Sequence, residues 1–269
     1  MQGVSRTSLD EVIRRLDDIL PSANTATLGH ELFEVVALLE QEHSLRRWLA
    51  DPAGSPDSKS ALVSDLLEAK VSPATLLVAN DVVRARWSAS RDLVDAAEQA
   101  AVFATIAEHG SAQQLEGVED ELFRFGRIVA GQPELRVALT ADGVPIEHKR
   151  TLVENLLSGK VGAATLALIT EAATRPRGRT LEQGLDHFSQ LVAERAKHYI
   201  AVVRTAVPMS EAQQSRLQAA LTRTYGRDIH LNIEIAPEVV GGLSIRVGDE
   251  VIDGTIAGRI AEIRRRLAG

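Results

Sequence analysis

Glu31-Leu32-Phe33-Glu34-Val35-Val36-Ala37-Leu38-Leu39 is the stretch that decides the fold, because the chain returns to it ninety residues later as Glu121-Leu122-Phe123-Arg124-Phe125-Gly126-Arg127-Ile128-Val129. At an offset of 90 and without gaps, residues 31–76 match residues 121–166 at 16 of 46 positions. Leu45-Arg46 returns as Leu135-Arg136, Leu49 as Leu139 and Lys59 as Lys149. Leu62-Val63, Leu66-Leu67 and Lys70-Val71 return as Leu152-Val153, Leu156-Leu157 and Lys160-Val161, and Ala74-Thr75-Leu76 closes the match as Ala164-Thr165-Leu166. Two copies make a duplicated unit, not a solenoid. The unit is helical by its period: Leu28, Leu32, Val35, Val36 and Leu39 share one face, as do Val118, Leu122, Phe125 and Val129.

Working outward, Ser8-Leu9-Asp10-Glu11 has the form of a capping box and predicts a helix start. Leu9, Val12, Ile13, Leu16 and Ile19 continue its apolar stripe until Pro21 stops it. An Ala-rich helix is predicted near residues 90–108, ending at Gly110. Another opens at Thr180-Leu181-Glu182-Gln183 and buries Leu185, Phe188, Val192 and Tyr199. Residues 1 to about 198 therefore read as a helical region holding two related units, about 28–110 and 118–198. The rest, 199–269, reads as a small α+β domain. Residues 200–207 are rich in β-branched residues and closed by Pro208, and Ser210-Glu211-Ala212-Gln213 starts a helix that Gly226 ends. Ile229, Leu231, Ile233 and Ile235 alternate with His230, Asn232, Glu234 and Ala236, the pattern of a half-buried strand. Leu243, Ile245 and Val247 mark a further strand face, Gly248-Asp249-Glu250 a tight turn, and Ile256, Ile260, Ile263 and Leu267 a last helical stripe ending in Arg264-Arg265-Arg266. The expected class is mainly α, with a duplicated N-terminal helical bundle region and a small C-terminal α+β domain.

Composition agrees. Aromatic residues are only 3% of the chain, which suits helices packed through small aliphatic side chains better than an all-β core. A net charge of −7 makes nonspecific nucleic-acid binding a poor default. The absence of cysteine excludes disulfides, thiolate catalysis and Cys-built zinc sites. The longest uncharged apolar stretches, about 71–80 and 161–170, reach roughly half a membrane span. Membrane association is thus expected only through a partner.

No catalytic, cofactor or metal site is expected. Gly159-Lys160 is the sole Gly-Lys pair, but Glu154 stands where a phosphate loop needs its first glycine and Val161 replaces the hydroxyl, so it reads as a helix C-terminus. His30-Glu31 reads as a surface helix start, since Glu34 occupies the second His position of a zinc helix. Glu119-Asp120-Glu121 reads as an acidic first turn. Gly241-Gly242 enters a strand, and its expected role is conformational. On these residues alone, the chain is also compatible with a free-standing helical adaptor or regulatory protein.

Residues 239–256, Val-Val-Gly-Gly-Leu-Ser-Ile-Arg-Val-Gly-Asp-Glu-Val-Ile-Asp-Gly-Thr-Ile, carry something more specific. They resemble the closing signature of the delta subunit of F-type ATP synthases, a family homologous to the mitochondrial oligomycin sensitivity-conferring protein. Gly241, Gly242, Gly248, Asp249, Asp253 and Gly254 are the positions that match it. Thr205-Ala206-Val207-Pro208-Met209-Ser210-Glu211 and Tyr225-Gly226 are similar to the family's strand-to-helix junction and the glycine before its next strand. Asp51-Pro52 with Lys59, and Ala141-Asp142 with Lys149, are similar to its helix-turn-Lys segment. The chain exceeds usual members by close to the repeat offset, and is similar to long actinobacterial-type members. The resemblance implies a non-catalytic connector in the peripheral stalk, without cofactor, at the cytoplasmic face of the bacterial cell membrane. It also implies its partners. The helical region would hold N-terminal segments of alpha subunits, and the C-terminal domain the end of the b subunit.

Overall fold

A computed structural model describes residues 1, 3–141, 143–226, 229–236, 242–248 and 250–253. The first helix, α1 (Val4–Ile19), begins a turn before the predicted capping box. Gly3 O accepts from the amides of Arg6 and Thr7, while Ser8 lies inside the helix and its hydroxyl donates to Arg86 O at 2.7 Å. The physical reason is that Ser5 is buried together with Leu9, Val12 and Leu16, so the contact stripe starts before the cap pattern. Pro21 ends the helix as expected, sitting in a 3-10 turn (Leu20–Ser22).

Helices α2 (Thr25–Gln41), α3 (His43–Ala50), α4 (Pro56–Leu67), α5 (Pro73–Arg84) and α6 (Ser90–Thr105) follow. Asn24, Ser55 and Ser72 cap α2, α4 and α5 through side-chain oxygens, and proline opens α4 and α5, where a missing amide proton costs nothing. Then come α7 (Ala112–Gly131), α8 (Pro133–Thr140), α9 (Ile146–Leu157), α10 (Ala163–Thr174) and α11 (Leu181–Lys197). Both ends of α3, α4 and α5 recur 90 residues later as the ends of α8, α9 and α10. The predicted apolar faces of α2 and α7 are buried throughout.

The same register also relates helices whose sequences hardly match. Val12, Ile13 and Leu16 of α1 correspond to Val102, Phe103 and Ile106 at the end of α6, and all six are buried. Helix α6 packs against α1, α2, α3 and α5, and also against α10. It therefore closes the first bundle and opens the second. Leu93, Val94 and every residue from Ala96 to Ala104 are buried, and the alanines let neighbours approach from all sides. At the tightest point, a Cβ built on Gly29 of α2 would lie 3.0 Å from the Thr105 Cα.

The chain divides into two compact units, Met1–Glu108 with Val118–Val192, and His109–Gly117 with Ala193–Gly269. Both helical copies belong mainly to the first. The second contains β1 (Ile200–Thr205), α12 (Glu211–Tyr225), β2 (His230–Ile235), β3 (Leu243–Val247) and β4 (Glu250–Asp253). The sheet order is β2-β1-β3-β4: β1 and β2 are parallel with α12 as crossover, and the other pairs are antiparallel. A capping box at Ser210/Gln213 starts α12, and Gly226, at φ 67°, ends it. Ala201, Val203, Ile245, Val247 and Leu221 form the core with Ile229, and Leu231 and Ile233 pack against it. Ile235, at the end of an edge strand, is exposed. The predicted final stripe, Ile256 to Leu267 with Arg264–Arg266, lies outside the described residues.

Candidate docking surfaces

Glu31 and Thr75, and their counterparts Glu121 and Thr165, recur because each pair joins two helices. Glu31 Oε2 accepts from Ser72 N at 2.8 Å, Ser72 Oγ at 2.7 Å and Thr75 Oγ1 at 2.6 Å. Glu121 Oε2 accepts from Gly162 N at 3.1 Å and from Thr165 Oγ1. Each carboxylate thus caps the N-terminus of a different helix, α5 or α10, where amides lack partners and the dipole favours negative charge. Burial pushes the Glu31 carboxyl up, but the Thr75 and Ser72 hydrogen bonds outweigh it and hold it below the ordinary range. Two expectations are corrected here. His30-Glu31 is not merely a surface helix start, and Glu119-Asp120-Glu121 lies mid-helix, not in a first turn. The Gly159-Lys160 expectation stands as read. Gly159 has φ 73° just after α9, and Lys160 Nζ donates to Leu156 O at 2.8 Å.

The contact between bundles is ionic at its centre. Arg177, in the loop before α11, is only 5% exposed at its side chain and reaches three carboxylates: Glu40 at 2.9 Å, Asp95 at 2.8 Å and Glu98 at 2.5 Å. Its backbone sits at φ 50°, unusual for a residue with a Cβ, so this chelation holds a costly conformation. Arg179 grips Glu98 with both terminal nitrogens at 2.9 Å, and His187 Nε2 lies 3.0 Å from Glu98 Oε2. Burial pushes Glu98 up, but His187, Arg179 and Arg177 outweigh it and hold its carboxyl far below the usual range. Beside them Arg175 bridges Glu34 at 2.5 Å and Glu171 at 3.4 Å. For Glu171 burial wins over Arg175, pushing its carboxyl up to about 7. Sequence reasoning missed this cluster. Its signals were Glu98 amid the alanines of a predicted helix and the alternation Arg175, Arg177, Arg179 before a helix.

Among the described residues, the helical unit holds two cavities that bear on a site. One, about 20 Å³, is walled entirely by apolar side chains such as Leu32, Leu49 and Val63, so it offers water no partner. The other, about 470 Å³, lies among α8, α9, α10 and the start of α11, with Arg136, Lys149, Arg179 and Glu182 on its wall. No histidine lines it, and Arg179 is committed to Glu98. Among the described residues no cluster of His, Asp and Glu is arranged to hold a metal, and no helix is long and apolar enough to cross a membrane.

The surface offers apolar contacts instead. Helices α1 and α5 run antiparallel, since Ser8 meets Arg86 and Arg15 meets Asp81, and Leu77 of α5 stands 56% exposed beyond that last contact. The second bundle exposes Phe123, Ile128, Val137 and Ile146. In the α+β unit, Ile235 on one edge strand and Val251 and Ile252 on the other are exposed. Of the signature positions, Gly242 has φ 83° where the chain enters β3, and Gly248 has φ 57° in the turn to β4. Asp253 is paired in register with Ser244 across the β3–β4 ladder. Gly241, Asp249 and Gly254 lie outside the described residues.

Comparison with known proteins agrees along the whole chain. Residues 99–267 match the family described as ATP synthase delta (OSCP) subunit, a match that begins inside α6. The ATP synthase subunit delta of Thermobifida fusca (strain YX) is 88% identical over 269 residues, covering 100% of both chains. That of Streptomyces griseus subsp. griseus is 48% identical over 271 residues, again covering 100% of both. That of Acidothermus cellulolyticus is 44% identical over 273 residues with the same coverage.

Proposed function

The chain belongs to the ATP synthase delta (OSCP) subunit family, and from that premise we propose how this connector divides its grip between two partners. As a member it is a non-catalytic, peripheral subunit of the synthase's stationary stalk, serving ATP synthesis and ion transport. In our reading the helical unit holds the N-terminal segments of alpha subunits, and the α+β unit grips the end of the b subunit at the cytoplasmic face of the cell membrane. The observation that carries this is the pairing of two compact units, each with its own exposed apolar side chains. Leu77 beside α1 suits an amphipathic helix laid in a groove, and the exposed edge-strand residues supply a second, separate contact.

A fragment ending at Tyr199 tests the division. It is expected to bind the alpha-containing head as the full chain does and to lose the b subunit. A fragment that binds the b subunit as well as the full chain would refute it.

A further inference from the structure

The two bundles meet through different faces of the same repeat, a head-to-tail contact that leaves one copy of a face unused. On α2, Phe33 packs against Phe188 with ring centroids 6.1 Å apart and planes tilted by 60°, Glu34 bridges Arg175 and Glu40 bridges Arg177. Ninety residues on, α7 presents the corresponding positions with no third helical copy to meet them. Phe33 is 4% exposed, but Phe123 is 57% exposed. The charge is also reversed. Arg124 replaces Glu34, and Arg127, where α2 has Ala37, lies 6.0 Å from the Phe123 ring centroid. Among the described residues, Arg124 pairs with the exposed Asp120, one turn away on its own helix, at 2.5 Å. Such a pair contributes little and exchanges readily.

We propose that this stripe of α7, Phe123 with Arg124 and Arg127, is a docking surface for an acidic amphipathic helix of another synthase subunit. A second copy of this chain fits badly. The face that receives α2 carries Arg175 and Arg177, of the same sign as the stripe, and is already covered by the first bundle. The chain's own end, with Arg264-Arg265-Arg266, is likewise basic. An acidic helix would match both arginines and cover the phenylalanine, as the second bundle covers Phe33 and meets the acids of α2 with the signs exchanged.

The proposal rests on the connector reading, and its test is kept separate. The full chain, carrying a benzophenone amino acid at position 123, is assembled into the synthase, irradiated and mapped by mass spectrometry. The expected adduct is to a segment of another subunit with net negative charge and helical apolar spacing. Arg124→Glu with Arg127→Glu, both on solvent-exposed positions, should cut the yield about tenfold without changing the melting temperature. An adduct within this chain, to a second copy or to a basic segment, no adduct, or a yield the double variant leaves unchanged overturns the proposal. If the fragment ending at Tyr199 still holds the head in that case, only the stripe has failed.

Discussion

Glu98 shows how much one residue decides here. It is a carboxylate 2% exposed in a run of buried alanines, and two arginines and a histidine from the second bundle converge on it. Glu98→Ala would leave Arg177 buried among fewer carboxylates, and should cost about 3–5 kcal/mol in a urea melt. Asp95→Ala should cost less, because Arg177 keeps Glu98 and Glu40. Glu171 gives the opposite sign with pH. Its folded value of about 7 lies above its ordinary 4.5, so between them the folded state keeps a proton that the unfolded chain releases. That contribution is whole below pH 4.5 and lost as pH rises through about 7. Glu171→Gln should therefore gain on wild type between pH 5 and pH 8, by roughly 1–3 kcal/mol in paired urea melts. A gap that does not change with pH would refute the assignment. Glu98, held low, contributes above its ordinary value and loses that stability as pH falls. In the α+β unit, Gly242→Val should cost about 1–3 kcal/mol, because φ 83° is a conformation a β-branched residue resists. A variant melting like wild type would remove that reading.

At the scale of elements, α6 is the organising piece, a helix used by both bundles. Gly29→Ala tests its closest contact. Alanine should strengthen α2 as a helix, but its methyl would press on the Thr105 backbone 3.0 Å away, and the expected net loss is about 1–3 kcal/mol. Sharing makes a sharper prediction. Deleting residues 31–120 joins His30 to Glu121 in helical phase and puts α1 where α6 stood. Ser5 and Ser8 then take the register of Asp95 and Glu98, opposite Arg177 and Arg179. The shortened chain should fold cooperatively but weakly, and adding Ser5→Asp with Ser8→Glu should raise its melting temperature. A chain that never melts cooperatively, or that is indifferent to the two acids, would contradict the shared-helix architecture. The copies themselves were legible in the sequence because Leu32, Leu49 and Val63 face the core in the first, as Leu122, Leu139 and Val153 do in the second. The shared helix was not, since α1 and α6 match in apolar register, as at Val12 and Val102, and hardly in identity. The Ser8 cap pattern misled because a distant partner, Arg86, took its hydroxyl. The ionic cluster joins residues far apart along the chain, so Glu98 and the alternating arginines each stand out in the sequence while nothing local pairs them.

For the whole molecule, membership of the ATP synthase delta (OSCP) subunit family and the two-unit build point to one mechanical role. A connector does no chemistry; it must carry the reaction torque between head and stalk through its own covalent chain. Continuity between the helical unit and the α+β unit is then the property that matters. The direct measurement is ATP-driven proton pumping, read beside ATP hydrolysis, in membrane vesicles stripped of this subunit and rebuilt with either the intact chain or an equimolar pair of fragments, 1–199 and 200–269. If this subunit carries the torque through one chain, hydrolysis should persist in both, while pumping should return only with the intact chain. Pumping restored equally by the severed pair, or retained with no subunit added, would contradict it.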